Sequence, residues 1–97
     1  MQPEVLDGSA AARYAEILKA IGHPVRLQII DILTCGERNV GELEDLTEVK
    51  QAIISQQLKI LRLSHLVQVD RREGKAYYSL VELHLRELMK CLRKCGS

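Results

Sequence analysis

The sequence predicts a mainly α-helical, dimeric domain with one small β-hairpin, in the order α-α-α-α-β-β-α. Three observations carry this reading. Apolar residues recur at three- and four-residue spacings through most of the chain, the period of a one-sided helix. Only the segment after Leu66 alternates with a period of two: Val67, Val69 and Arg71 interleave with Gln68, Asp70 and Arg72. Within 97 residues there is no repeat, no low-complexity run and no linker long enough to divide the chain. A helix that leads straight into a basic-tipped hairpin is the plan of a winged helix.

Each element has a local reason. Residues 1–8 read as a flexible arm and residues 9–97 as one domain. The first helix is expected from about Ser9 to Ile21, with Ala12, Ala15, Leu18 and Ile21 on one side and Gly22 ending it. His23 reads as a cap, and Pro24 suits the first turn of a second helix carrying Leu27, Ile30 and Leu33 before Gly36. Asn39-Val40-Gly41-Glu42 reads as a capping box opening a short third helix to about Leu46. The fourth helix carries Ile53, Ile54, Leu58, Leu61 and, a turn on, Leu66 as its apolar stripe. Glu73-Gly74 supplies the hairpin turn, and Ala76-Tyr77-Tyr78 returns as the second strand. One tyrosine ring is expected under the hairpin and the other on its outer side. Ser79-Leu80-Val81-Glu82 is expected to cap a last helix reaching about Cys95.

Charge distribution points to a partner. The net charge is only +1. Residues 1–49 hold nine acidic and four basic side chains, a net of −5. Residues 50–75 hold six basic and two acidic ones, a net of +4, and residues 76–97 add +2. Positive charge therefore gathers on the fourth helix and the hairpin. The polar side of that helix offers Lys50, Gln51, Ser55, Gln56, Gln57 and Lys59, with no carboxylate among them. Amide and ammonium groups of this kind reach base edges and phosphates in a major groove. On the hairpin, Arg71, Arg72 and Lys75 are placed for phosphates or the minor groove. The expected partner is double-stranded DNA.

Other classes fit less well. No apolar run approaches the roughly 20 residues that cross a bilayer, and MQPEVLDGSA lacks the basic-then-apolar order of a signal peptide. The expected location is cytoplasmic, with no membrane partner, where the three cysteines rest as thiols. There is no Gly-rich phosphate loop, no nucleophile beside a base in a motif and no Cys-x-x-Cys, so the chain does not read as an enzyme and needs no cofactor. A winged-helix module that binds only protein is the alternative, but it gives no reason for a cationic, carboxylate-free helix face.

Four blocks in order resemble the ArsR/SmtB family of winged-helix transcriptional repressors. They are Leu18-Lys19-Ala20-Ile21-Gly22-His23-Pro24-Val25-Arg26-Leu27-Gln28-Ile29, Val40-Gly41-Glu42-Leu43, Ser55-Gln56-Gln57-Leu58-Lys59-Ile60-Leu61-Arg62, and Leu66-Val67 with Arg71-Arg72-Glu73-Gly74-Lys75-Ala76-Tyr77-Tyr78-Ser79-Leu80. The resemblance implies a homodimer joined by its first and last helices, with Leu85, Leu88 and Leu92 at or beside the seam. It also implies an operator of two inverted half-sites and release from DNA by an inducer. Three positions depart from the family pattern. Glu48 stands where Gly is usual, His65 where Gly commonly ends the recognition helix, and Ala52 where Pro is common.

The resemblance also frames the inducer. The Cys-x-Cys pair that some members use in the third helix for arsenite or cadmium is replaced by Asn39 and Gly41. The zinc-type set of the last helix is matched by Glu82 and His84, but its third position is Cys95 and its fourth has no counterpart up to Ser97. What stands instead is His84, Cys91 and Cys95 at i, i+7 and i+11, near one azimuth of a helix. Lys90, Arg93 and Lys94 surround the two thiols, and neighbouring cations raise thiolate reactivity. Cys35, at the end of the second helix, is a third candidate. It lies one turn beyond Asp31, where persulfide- or oxidant-sensing members carry a cysteine. Two readings stay open: the cysteines receive a soft metal or metalloid ion (arsenite, cadmium, zinc) or reactive sulfur or an oxidant, or they only pack.

Overall fold

The computed structural model describes residues 2–81 and 84–96. Eight elements follow in order: α1 Gly8–Ile21, α2 Pro24–Leu33, β1 Arg38–Asn39, α3 Val40–Thr47, α4 Gln51–Leu63, β2 Val67–Arg72, β3 Lys75–Leu80 and α5 His84–Gly96. The five helices and the hairpin are the expected ones. The strand β1 was not expected. It pairs antiparallel with β3, Arg38 opposite Tyr78 and Asn39 opposite Tyr77, so the hairpin becomes a three-stranded sheet in the order β1-β3-β2.

The helix ends are set by short polar side chains. Asp7 accepts from the Ala10 N–H at 2.7 Å and starts α1 one residue before the expected Ser9. His23 caps α2, its Nδ1 accepting from Val25 N at 3.1 Å, and Pro24 fills the first turn. At α3 the capping box closes on both sides, Asn39 Oδ1 accepting from Glu42 N at 2.9 Å and Glu42 Oε1 from Asn39 N at 3.0 Å. Glu48 and His65 end α3 and α4 with φ of 58° and 61°. These are the two sites where the family pattern has Gly, and the left-handed backbone accounts for that preference. The turn residues Glu73 and Gly74 also have positive φ, as a two-residue turn matched to strand twist requires. Ser79, expected to cap the last helix, instead lies in β3 opposite Gln68, because the strand runs on to Leu80 before α5 begins at His84; Glu82 lies outside the described residues.

The core is aliphatic and centred on α2 and α4. Ile29, Ile30 and Leu33 of α2 meet Leu43 of α3, Ile54, Leu58 and Leu61 of α4, and Leu66, Val67 and Leu80 beside the sheet. Leu85 and Met89 of α5 close one side. The radius of gyration is 14.8 Å and the extents are 56 × 30 × 20 Å. A compact chain of this length would have a radius near about 12–13 Å, so part of the molecule stands away from the core. Helix α1 is that part: of the stripe expected on it, only Ile21 is buried, while Ala12, Ala15 and Leu18 are exposed. Among the described residues, no helix is long and apolar enough to cross a membrane.

Candidate nucleic-acid interface

The connection from α3 to α4 is short and tied at both ends. The Thr47 hydroxyl donates to Leu43 O at 2.7 Å and accepts from Val49 N at 3.2 Å. Glu44 Oε2 accepts from Gln51 N at 2.8 Å, satisfying one donor of the first turn of α4. Lys50 precedes α4 as its cap residue and is exposed.

Helix α4 divides cleanly between core and solvent. Ile54, Gln57, Leu58 and Leu61 face inward; Gln51, Ser55, Gln56 and Lys59 face solvent. Two sequence expectations need correction. Gln57, expected on the exposed polar side, is only 8% exposed, and its Oε1 accepts from Arg26 Nη1 at 2.9 Å. It lies three residues after Ile54 and four before Leu61, so helical geometry places it within the apolar stripe. Ile53, expected in the stripe, is 42% exposed and lies beside Gln56 on the solvent side. Arg26, not singled out from sequence, sits between Val25 and Leu27 and also donates from Nε to Ala20 O at 2.6 Å. It thereby joins the end of α1 to the middle of α4.

The hairpin presents its cations unequally. Arg72 is held by Glu37 and, from Nε to Oδ2 at 3.2 Å, by Asp70. Its guanidinium lies 4.4 Å from the centre of the Tyr77 ring. Its pKa is raised above the usual arginine value, first by the hydrogen bond to Glu37. Among the described residues no ion pair engages Lys50, Lys59, Arg71 or Lys75, and all four are exposed. Tyr78 packs against the core, while Tyr77 lies on the opposite face beneath Arg72.

The expected thiol residues lie just beyond α2 (Cys35) and on α5 (Cys91 and Cys95). Cys35, Cys91 and Cys95 are free thiols and exposed, and His84 is exposed. Arg93, between the two α5 cysteines, crosses to the end of α2. Its Nε donates to Asp31 Oδ1 at 2.8 Å, and its Nη2 to Thr34 Oγ1 at 3.2 Å. Its pKa is raised, first by Asp31 and in smaller part by Cys35. Arg86 of α5 donates to Thr34 O as well. Among the described residues, no group of three or more His, Cys, Asp or Glu is arranged to hold a metal ion.

An apolar groove of about 240 Å³ runs between α1 and α5, lined by Tyr14, Ile17, Leu18, His84, Leu85 and Leu88. Leu18 is 54% and Leu92 43% exposed. Leu85, expected at or beside the seam, is 2% exposed within its own chain and belongs to the core.

Comparison with known proteins agrees with this geometry. Residues 23–69 match the family described as bacterial regulatory protein, arsR family. The biofilm growth-associated repressor of Xylella fastidiosa is 39% identical over 82 residues, covering 84% of this chain and 72% of that one. The crystal structure of the transcriptional repressor BigR from Xylella fastidiosa superposes with a TM-score of 0.87 at 36% identity, covering 92% of this chain and 91% of that one. The homodimeric winged helix-turn-helix DNA-binding domain of Mb0332 from Mycobacterium bovis gives a TM-score of 0.76 at 27% identity, covering 98% and 90%.

Proposed function

The chain belongs to the bacterial ArsR family of regulatory proteins, transcriptional regulators rather than enzymes, and from that premise we propose that it is a homodimeric repressor reading an inverted-repeat operator through α4. The observation that carries this is the exposed side of α4, which presents Gln51, Ser55, Gln56 and Lys59 on a helix that itself holds no carboxylate. In the major groove, Gln51 and Gln56 pair with base edges, Ser55 bonds base or phosphate, and Lys50 and Lys59 meet phosphates. Ile53 adds an apolar contact suited to a thymine methyl. Arg71 and Lys75 carry the wing's charge to the backbone or minor groove. A protein-only module has no use for this face.

The dimer is assigned to the α1–α5 groove, whose apolar lining the chain itself leaves uncovered. A two-fold pair would place two copies of α4 about one helical turn of DNA apart.

The inducer is assigned to thiol chemistry at Cys91 and Cys95, with Cys35 nearby. All three thiols are free, and the Arg93 tie between α5 and the end of α2 gives α5 a partner to move against. Bridging of thiols by a soft ion, or oxidation by a persulfide or peroxide, would alter α5 pairing and so the spacing of the two α4 helices. Ion capture would need donors from both chains, His84 of one subunit near Cys95 of the other. Band shifts on the operator with arsenite, cadmium, zinc, polysulfide and peroxide decide between them. A covalent sulfur link is reversed by a phosphine reductant, which carries no thiol, and changes the mass by added sulfur or lost hydrogens; a bound ion resists the phosphine and adds its own mass instead. If a Cys91→Ser, Cys95→Ser double variant still releases DNA normally in response to the inducer, the cysteines only pack.

A further inference from the structure

The sequence places Arg72 with Arg71 and Lys75 as three equivalent wing cations, but their surroundings differ. Two carboxylates, Glu37 and Asp70, converge on Arg72, and Tyr77 covers one face of its guanidinium. Two carboxylates engaged with one guanidinium leave Arg72 little charge to offer a phosphate. Exposed ion pairs of this kind add little to stability. What three converging partners fix is direction, because the guanidinium fork is planar and rigid.

Glu37 is the informative partner. It lies 35 residues from Arg72, on the α2–α3 connection immediately before β1. That connection holds the wing twice. Arg38 and Asn39 pair with the backbone of β3, and Glu37 grips a side chain of β2. Asn39 is also the cap of α3, the helix that leads into α4. The wing is therefore fastened to the segment that positions the recognition helix.

We propose that Arg72 is a positioning residue that locks the wing onto the α2–α3 connection through Glu37, leaving Arg71 and Lys75 to contact phosphate. The inference rests on the DNA-binding reading above and deepens it. A locked wing holds its two uncommitted cations at a fixed offset from α4. An unlocked one must be ordered on binding, and affinity falls without any change in the number of phosphates neutralised.

The test uses the full-length dimer and a fluorescein-labelled duplex that the wild-type protein selects from a random-sequence pool. Affinity is followed by anisotropy across a salt series. Arg72→Lys keeps the charge but loses the fork and the ring stacking; Glu37→Gln leaves Arg72 untouched. Both are expected to weaken binding about tenfold with the slope of log K against log salt unchanged. The Arg71→Ala, Lys75→Ala double variant removes four cations from the dimer and is expected to shallow that slope by about 3.6. A second readout needs no DNA. The Arg72 Nη2 protons, which meet Glu37, should give a slowed, distinct NMR signal with cross-relaxation from the guanidinium to the Tyr77 ring, lost in Glu37→Gln. Wild-type affinity in Arg72→Lys, or tighter binding with a slope steeper by about 1.8 (one released Arg72 in each subunit) in Glu37→Gln, overturns the proposal, because Arg72 is then a phosphate contact that Glu37 restrains. A slope unchanged by the double variant would instead defeat the DNA-binding reading of the wing itself.

Discussion

Helices α4 and α5 are thirteen residues each, and both are amphipathic, yet each leaves a different side unsatisfied. Helix α4 buries its apolar stripe within its own chain, with Ile54, Leu58 and Leu61 fully covered. Its unsatisfied side is polar. Helix α5 buries only Leu85 and Met89, leaving Leu88 half-buried on the α1–α5 groove and Leu92 exposed a turn further on, beside Pro24 and Leu27 of α2. Its unsatisfied side is therefore apolar, the side that the proposed dimer would cover. What a surface helix lacks indicates what it binds: hydrogen-bond partners for one, apolar contact for the other.

Truncating a leucine on each helix separates the two cases most sharply. Leu58→Ala in α4 is expected to cost about 2–5 kcal/mol of folding stability, measured by urea unfolding. Leu92→Ala in α5 should leave the protomer folded and weaken dimerisation by about 1–2 kcal/mol for each copy, read by sedimentation at several concentrations. If Leu92→Ala instead destabilises the protomer itself, the α5 stripe is ordinary core and the contrast breaks.

Within α4, the neighbours Gln56 and Gln57 sharpen the same comparison. Gln56→Ala is expected to cost about 1–3 kcal/mol of operator binding and to relax preference at one base pair per half-site, with unfolding unchanged. Gln57→Ala should cost about 1–3 kcal/mol of stability by stranding the Arg26 guanidinium and leave base preference intact. Exchanged phenotypes would mean that α4 is rotated relative to this description.

The α4 contrast also marks how far the sequence could be read. The helices, the hairpin turn, the His23 cap and the Asn39 capping box were legible, because each depends on residues within about one turn of each other. Strand β1 was not: two residues, Arg38 and Asn39, carry no alternation and become a strand only by pairing with β3. Gln57 was assigned by its polarity, whereas its spacing from Ile54 and Leu61 already placed it inward. Arg72 was grouped with its neighbours because its partner Glu37 is distant in sequence. The exposed stripe of α1 was visible as a pattern, but periodicity does not say which chain covers it.

The smallest expected effect concerns the turn leading into α4. Glu48→Gly removes a side chain from a left-handed backbone but gives the unfolded chain more freedom, for a net gain of about 0.5 kcal/mol. Thermal unfolding measures it, and a loss of stability would show that the Glu48 side chain contributes more than its backbone costs.

Selection of duplexes from a random-sequence pool by the wild-type protein tests the central claim most directly. An α1–α5 dimer presenting two copies of α4 should enrich an inverted repeat whose half-sites are centred about 10–10.5 base pairs, or a multiple of that, apart, and Gln56→Ala should blur one position in each half. Enrichment of a single asymmetric site, or of no sequence at all, would contradict the account.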